Sequence, residues 1–333
     1  MSLDKKLGQG EKAVYRTQKQ IERELLKAYQ ASLKEIRLQI AIAYEKHGTG
    51  GKLTMAEMSK YNRLTTLEQE IGREVAKLTN KSAKTLTQGI GSVFAESHYR
   101  TAYALETTVG AHLGFGMLNP KTIEAAINNP LDRVGFIQRN KDNQALLARQ
   151  LREQIAQGLI QGKSYQDTAK AIKARMDTGA ARMLNIASTE MHRAQTEGRL
   201  AGLDTAEEAG VEMARIWSAA IDGKTRDMHA DMDGRHADED GIFTLPDGTQ
   251  AEGPGLTGVP EHDCRCRCGV RAEIKGYGPK LRRVRLAEDD FQAAKEVEAA
   301  LAAKEGRKAL PVSRSEVVQY QNYHEWYQGR IGR

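Results

Sequence analysis

The scarcity of proline constrains this chain more than any other feature of its sequence. Between residue 1 and about residue 215 the chain contains only Pro120 and Pro130. Proline lacks a backbone N–H and clashes with the preceding helical turn, so a long stretch without it leaves helices uninterrupted. Apolar side chains recur at every third or fourth position on a charged background, at Ile21, Leu25, Tyr29, Leu33, Ile36 and Ile40. This pattern predicts amphipathic helices over the N-terminal two-thirds of the chain.

Turn signals divide the helical region into segments. Gly48-Thr-Gly-Gly51 predicts the end of the first helix, because glycine tolerates the positive φ that is common at helix C-termini. Thr54 followed by Glu57 predicts the start of the next helix as a capping box. We expect further helices over 82–118, between Asn119-Pro120 and Asn129-Pro130, over 141–161, from the N-cap Ser164 to about 176, and over 178–208.

The composition changes after Gly210, where glycine and proline become frequent. The alternating segments 211–221 and 264–274 predict strands, and the segment 225–232 between them predicts a helical turn. We therefore expect a compact, loop-rich α+β module over 211–275. It has few apolar residues for a core, so a bound metal would stabilise it strongly.

These segments together predict an α+β fold, with a mainly α-helical N-terminal two-thirds followed by the small loop-rich α+β module. A charged helix over 287–306 and a polar tail come after the module, and the tail carries the aromatic segment 323–326, which we expect to dock onto a domain. We divide the chain into a helical arm (1–150), a second domain (151–275), and the charged helix with its tail (276–333).

Composition excludes several classes of protein but names no function. Hydrophobic residues make up 40% and charged residues 28% of the 333, which excludes membrane proteins and disordered chains. No apolar run is long enough to cross a membrane, and the N-terminus lacks the apolar segment of a secretory signal. The net charge of +6 is small for this length and allows only a weak attraction to nucleic acid.

The cysteines predict a metal site. Cys264, Cys266 and Cys268 lie in one run, and their odd number and i,i+2 spacing suit neither a disulfide framework nor a packed core. Zinc takes Cys sulfur and His nitrogen ligands in tetrahedral geometry, so His229 with Cys264 and Cys266 is a candidate site. The fourth ligand would be His262, His236 or Cys268. The alternative is a hydrogen-bonded structural histidine beside free thiols or one strained cysteine pair.

Two other motifs are incomplete. Gly158–Ser164 is one residue short of a phosphate-binding P-loop and follows a helix where that loop follows a strand. Asp231-Met-Asp233-Gly234 begins like a calcium-binding loop, but Arg235 stands where an oxygen ligand is needed. We read the first as a helix end followed by an N-cap and do not expect calcium at the second, and no catalytic constellation is evident.

An ordered series of motifs carries a family resemblance. In sequence order these are Ala187-Ser-Thr-Glu190, Arg193-Ala194, Ile216-Trp217, Asp222-Gly-Lys-Thr-Arg226, His229, Asp233-Gly234, Phe243, Pro254, Pro260 and His262-Asp-Cys-Arg-Cys266. Their order and spacing resemble the Mu F-like, SPP1-type minor head (head morphogenesis) proteins of tailed bacteriophages. The resemblance covers roughly 150–270, and the helical region before it matches in character only. Its motif core is Glu190, Arg193, Trp217, Asp222, Arg226, His229, Asp233 and Gly234.

The resemblance implies a non-enzymatic virion protein of the capsid interior, associated with the portal vertex. Such proteins assist head assembly and DNA packaging or ejection, and they occupy the host cytoplasm during assembly. The implied partners are the portal protein, major capsid and scaffold proteins, and packaged double-stranded DNA, with no membrane; a structural zinc ion is the one cofactor we consider. Roughly 60 residues follow position 275, too few for a separate effector domain of ordinary size.

The alternative function is a metal-dependent hydrolase that acts on nucleic acid or peptidoglycan. Asp222, Arg226, His229, Asp233 and the cysteine pair would form its site, with zinc activating water and Asp233 as general base. A catalytic zinc ion needs an open coordination position and a defined base, and the spacing identifies neither.

Overall fold

The computed structural model describes residues 3–128, 135–220, 222–274, 281–285, 288–305, 307, 309 and 315–319. The turn predicted at Asn129-Pro130 and the aromatic segment 323–326 lie outside these ranges. The helices are α1 (Leu3–His47), α2 (Met55–Ser59), α3 (Arg63–Val109), α4 (Pro120–Asn128), α5 (Phe136–Ile160), α6 (Tyr165–Glu208), α7 (Asp227–Asp231), α8 (Pro260–Asp263) and α9 (Glu288–Glu305). The strands are β1 (Met213–Ser218), β2 (Phe243–Thr244), β3 (Gln250–Ala251), β4 (Gly269–Ile274), β5 (Leu281–Arg285) and β6 (Ser315–Gln319). The predicted α+β class is confirmed.

The long helices α1, α3, α5 and α6 pack as a bundle around one apolar core. Helix α1 is antiparallel to α3, because Lys6 near the start of α1 donates to Thr108 near the end of α3. Farther along, Thr17 donates to Glu96 over 2.6 Å. Helix α6 is antiparallel to α5, and its buried face contacts both α1 and α3. In the part of the chain that the structure describes, no helix is long and apolar enough to cross a membrane.

The predicted helix starts are confirmed by their caps. The Thr54 hydroxyl accepts a hydrogen bond from the Glu57 backbone N–H, and the Ser164 hydroxyl accepts one from the Asp167 N–H over 3.2 Å. Each cap satisfies a donor that the first turn of a helix leaves unpaired. The short helix predicted after Asn119 is α4, and the charged helix predicted after the module is α9.

Several predicted helix boundaries are wrong. No helix starts at residue 82, because α3 runs unbroken from Arg63 to Val109, and it ends before residue 118 at the C-cap Gly110, whose φ is +76°. A Cβ on Gly89 would lie 2.7 Å from Ile21 Cδ1, and one on Gly91 would lie 3.1 Å from Ile123 Cγ2. These two glycines, expected to weaken the helix locally, therefore mark places where α3 packs closely against its neighbours. Helix α6 likewise continues through 177 without a break.

The α+β module packs against one end of the bundle. Its main sheet pairs β1 with β4 in antiparallel register, with Met213 opposite Ile274 and Ser218 opposite Gly269. A second apolar cluster joins the sheet to α1, α3 and α6, through Leu3, Leu7, Leu105, Leu203, Trp217 and Val270. The boundary predicted at residue 150 falls inside α5, and the bundle core crosses it. The division into domains stays a prediction.

Candidate metal centre and motif cluster

Two motif residues form a buried ion pair inside the bundle. Glu190 and Arg193 on α6 are each only 1% exposed. The Arg193 guanidinium donates to Glu190 over 3.1 Å, to Glu197, and to the backbone carbonyl of Ala126 in α4 over 2.7 Å. Arg139 of α5 also pairs with Glu190. Buried charges are costly unless they are paired, so this network fixes α4 and α5 against α6.

The Asp233-Gly234 turn is pinned to strand β1. The Asp233 carboxylate accepts from the Ala219 N–H over 2.8 Å, and the Gly234 N–H donates to the Trp217 carbonyl over 2.9 Å. Gly234 has a φ of +82°, which a residue with a side chain rarely adopts. The fully buried Trp217 indole packs edge-on against the His229 ring, at 5.6 Å between centroids. The turn and the tryptophan thereby fix the position of His229 at the end of β1.

His229, Cys266 and Cys268 form a group that can hold a metal ion. All three are buried, and their ligand atoms lie within 4.8 Å of one another. His229 Nδ1 is 3.6 Å from the sulfur of Cys266 and 3.6 Å from that of Cys268. In a tetrahedral zinc site, Zn–N bonds of about 2.05 Å and Zn–S bonds of about 2.3 Å place N and S about 3.5–3.6 Å apart. The observed separations therefore fit tetrahedral zinc.

A hydrogen-bond chain orients the His229 ring. His229 Nε2 is 3.3 Å from His262 Nδ1, and His262 Nε2 is 2.9 Å from the Asp247 carboxylate. Because a carboxylate only accepts, His262 donates from Nε2 and accepts at Nδ1, which makes His229 Nε2 a donor. The neutral His229 ring then carries its lone pair on Nδ1, the atom that faces the two thiols. This arrangement is typical of metal-binding histidines.

The Asp247 carboxylate is held in its charged form. A backbone hydrogen bond from Thr249 and a hydrogen bond with His262 lower the pKa of Asp247 to about 2. Pro246-Asp247-Gly248 reads as a plain turn in the sequence, so nothing in the local pattern pointed to Asp247 as part of the site.

The structure separates Cys264 from the other two cysteines. Residues 264–268 were predicted as strand, but Arg265 has a left-handed φ of +56° and β4 begins only at Gly269. Cys264 is exposed, and Arg226 donates to its backbone carbonyl and to that of His262. Of the four residues that we predicted as ligands, only His229 and Cys266 belong to the group. His262 contacts the other ring nitrogen of His229, and Cys264 lies outside the group. Cys268, one of the alternative fourth ligands, takes its place.

The remaining candidates lie around the group. Asp222 accepts a hydrogen bond from Arg267 over 2.8 Å, which ties the loop after β1 to the cysteine segment. His236 is exposed and pairs through its backbone with Ile216.

His192, on α6, was not among the predicted ligands because its position on the helix resembles that of any other partly buried polar residue. Its Nε2 atom is buried and has no hydrogen-bond partner in the part of the chain that the structure describes.

The two buried thiols differ in acidity. The hydrogen bond between them raises the pKa of Cys266 and lowers that of Cys268, and His229 further lowers the pKa of Cys268. Burial lowers the pKa of His192 to about 4. The group therefore pairs one acidic thiol with one that holds its proton, so a metal ion that binds both sulfurs has to release the Cys266 proton.

Comparison with known proteins decides the family. A family model described as "Phage Mu protein F like protein" matches residues 149–271. The chain is also 31% identical over 276 residues to the "Minor head protein GP7" of Bacillus phage SPP1, covering 83% of this chain and 89% of that protein. The chain belongs to the Mu F-like family of phage minor head proteins.

This Mu F-like chain also resembles two bacterial proteins. It is 27% identical over 308 residues to the "NAD(+)--arginine ADP-ribosyltransferase EFV" of Enterococcus faecalis, a match that covers 92% of this chain. A match of 28% identity over 177 residues joins it to an uncharacterized protein of Haemophilus influenzae. The matches span 57% and 35% of the lengths of these two proteins. No solved structure matches the chain.

Within the Mu F-like match, the motif residues fall into two sets. Glu190 and Arg193 hold the bundle together, whereas the residues from Trp217 onward surround the His229–Cys266–Cys268 group. Metal binding is the chemistry that this second set can support.

Proposed function

We propose that this minor head family member is a non-enzymatic component of the virion, located at the portal vertex and in the capsid interior, where it assists head assembly and DNA packaging or ejection. One observation carries the proposal: the 31% identity to the minor head protein extends over 83% of the chain. An alignment of this length cannot be confined to the module, so the similarity extends into the helical bundle.

The proposed partners are the portal protein, the major capsid and scaffold proteins, and packaged double-stranded DNA. In support, the connections between helices present large apolar side chains to solvent, including Tyr61 (87% exposed) between α2 and α3 and Met117 (90% exposed) between α3 and α4. Side chains of this kind are enriched where proteins bind one another. DNA contact would rest on the net charge of +6 and would weaken as salt is raised.

The test is to purify virions and measure whether the chain is present, and to capture the full-length chain with purified portal protein of the same phage. We expect the chain in full heads and in the portal complex. Its absence from virions, together with normal heads assembled in a phage that lacks it, would overturn the proposal.

A hydrolase is the weaker alternative because each candidate catalytic group is already engaged. Asp222 binds Arg267, Arg226 binds two backbone carbonyls, and Asp233 accepts from the Ala219 N–H. A general base must reach the water that it activates. Incubation of the zinc-loaded protein with DNA and with cell wall tests this directly: turnover that is lost in His229→Ala would favour the hydrolase, and no turnover is the expected result.

We also propose that the metal is zinc and that its role is structural. The donor set of one imidazole and two thiols suits zinc, and the module that carries it has only short strands and two single-turn helices among its described residues. Elemental analysis of the protein purified under reducing conditions should find one zinc ion per chain. A metal-free chain with unchanged thermal stability would contradict this.

A further inference from the structure

The fourth zinc ligand decides what kind of site this is. Structural zinc sites are closed by four protein ligands, whereas catalytic sites keep one position open for water. The module supplies three ligand atoms that meet, from His229, Cys266 and Cys268. The question is which side chain completes the tetrahedron.

The other candidate ligands of the module are either engaged in other hydrogen bonds or exposed to solvent. Both ring nitrogens of His262 are engaged, one with His229 and the other with Asp247. Cys264 is exposed, and Arg226 holds its backbone carbonyl away from the group. His236 is exposed as well.

His192 is differently placed, because it lies on α6 of the bundle and not in the module. It interacts electrostatically with both Cys268 and His229. Its Nε2 atom is buried without a hydrogen-bond partner among the described residues. A buried polar atom left unpaired is costly, so native structures rarely keep one unless a water or an ion satisfies it.

The loop opposite His192 leaves space for its ring. Gly255 has a φ of +83°, and a Cβ at this position would lie 2.8 Å from His192 Cδ2 and 3.3 Å from Nε2. Any larger residue at position 255 would displace the His192 ring from its present position.

We infer that His192 Nε2 is the fourth ligand of the zinc ion. The inference rests on the zinc site proposed above. His192 lies outside the group whose ligand atoms are within 4.8 Å of one another, so this ligation requires its ring to move towards those atoms when the metal binds. The ion then cross-links helix α6 to the module and has no open position for a reacting water.

The experiment uses the full-length chain in reducing buffer, with Co²⁺ in place of zinc. Tetrahedral Co²⁺ bound by thiolates has strong visible and near-ultraviolet absorption that reports the number of sulfur and nitrogen ligands. We expect one Co²⁺ per chain with the spectrum of a two-sulfur, two-nitrogen site. Cys264→Ser is the matched control and should leave the spectrum and affinity unchanged, whereas Cys266→Ser and Cys268→Ser should each lose a thiolate band.

His192 is tested by loss and by gain of a ligand. His192→Ala should weaken Co²⁺ binding at least about tenfold, change the visible bands, and be rescued by added imidazole. His192→Cys should add a third thiolate band, a signal that a merely misfolded variant does not produce. Circular dichroism checks that both variants keep their helices.

The outcomes separate the two proposals. A wild-type chain that binds no Co²⁺ and no zinc overturns the zinc site and the inference with it, while the head-assembly role is judged by the portal capture. A wild-type two-thiolate spectrum that is unchanged in both His192 variants overturns only the fourth ligand. If His262→Ala loses the band that His192→Ala keeps, His262 is the ligand and the inference fails.

Discussion

Gly198 of α6 lies directly against the backbone of Phe94 in α3. A Cβ placed on Gly198 would overlap the Phe94 carbonyl oxygen and lie 3.0 Å from the carbonyl carbon. The neighbouring atoms belong to the middle of a helix and cannot rotate away as a side chain would. Two long helices of the bundle therefore meet at a point where only glycine fits.

Gly198→Ala should destabilise the protein by about 3 kcal/mol or more, because α3 and α6 must separate to admit the methyl group. Gly8→Ala is the matched control: it also lies in a helix, but nothing is within 4 Å of its added Cβ. That change should stabilise by about 0.5–1 kcal/mol, since alanine is the better helix former. Denaturant unfolding measures both, and equal effects would contradict the close approach.

Glu190→Gln should cost about 3 kcal/mol, because it leaves the buried Arg193 and Arg139 with a neutral partner. The control is Asp177→Asn, which breaks an exposed ion pair with Lys173 whose two side chains are 56% and 59% exposed. Exposed pairs contribute little, so that loss should stay below about 0.5 kcal/mol. Thermal or denaturant unfolding compares the two variants. A small loss in Glu190→Gln would show that Arg193 is fully compensated by Glu197.

Asp247→Asn should weaken zinc binding about 10–100-fold although Asp247 is not a ligand. The neutral amide no longer holds His262 in the orientation that makes His229 Nδ1 a metal ligand. Competition with a chromophoric chelator measures the affinity. Asp240→Asn, an exposed residue of the same loop region, should leave the affinity unchanged; equal losses in both variants would argue against the hydrogen-bond chain.

The metal-free protein should lose stability on acidification. Burial lowers the pKa of His192 to about 4 and also lowers that of His98, so the folded chain binds fewer protons than the unfolded chain, in which both histidines titrate near 6.5. The free energy of unfolding should therefore fall as pH drops from 6.5 towards 4, and His192 alone contributes about 2 kcal/mol between pH 7 and 5. This contribution levels off below pH 4.

Denaturant unfolding of chelator-treated protein at pH 7, 6 and 5 checks this expectation. His192→Gln should reduce the slope, since it removes one of the two groups. A free energy of unfolding that rises towards pH 5 would contradict the assignment of neutral buried histidines.

Local features of the fold were predictable from the sequence, and features that depend on distant partners were not. Thr54 and Ser164 cap the helices that follow them, because a capping residue and its backbone donor are only three positions apart. The separate helix start expected at residue 82 is absent, since α3 is continuous from Arg63 to Val109. Gly89 of this helix packs against Ile21 of α1, a contact that no single segment reveals.

The same division applies to the site. The cysteine run and His229 marked a metal site on residue type alone. Whether Cys264 or Cys268 joins the group depends on the left-handed backbone at Arg265 and on the hydrogen bonds from Arg226 to the backbone carbonyls of His262 and Cys264. Both features exist only in the folded loop. Asp247 and His192 enter the site from other elements, so no local spacing links them to the cysteines.

The first two turns of α1 have a consequence for how the chain folds during synthesis. Leu3 and Leu7 are buried in the same cluster as Cys266 and Val270, residues separated from them by most of the chain. The ribosome releases α1 long before it makes strand β4, and contacts between such distant segments form late. In a nascent chain that stalls before β4 is complete, Leu3 and Leu7 would stay exposed to solvent. The beginning of α1 would then be an apolar helix end to which chaperones can bind.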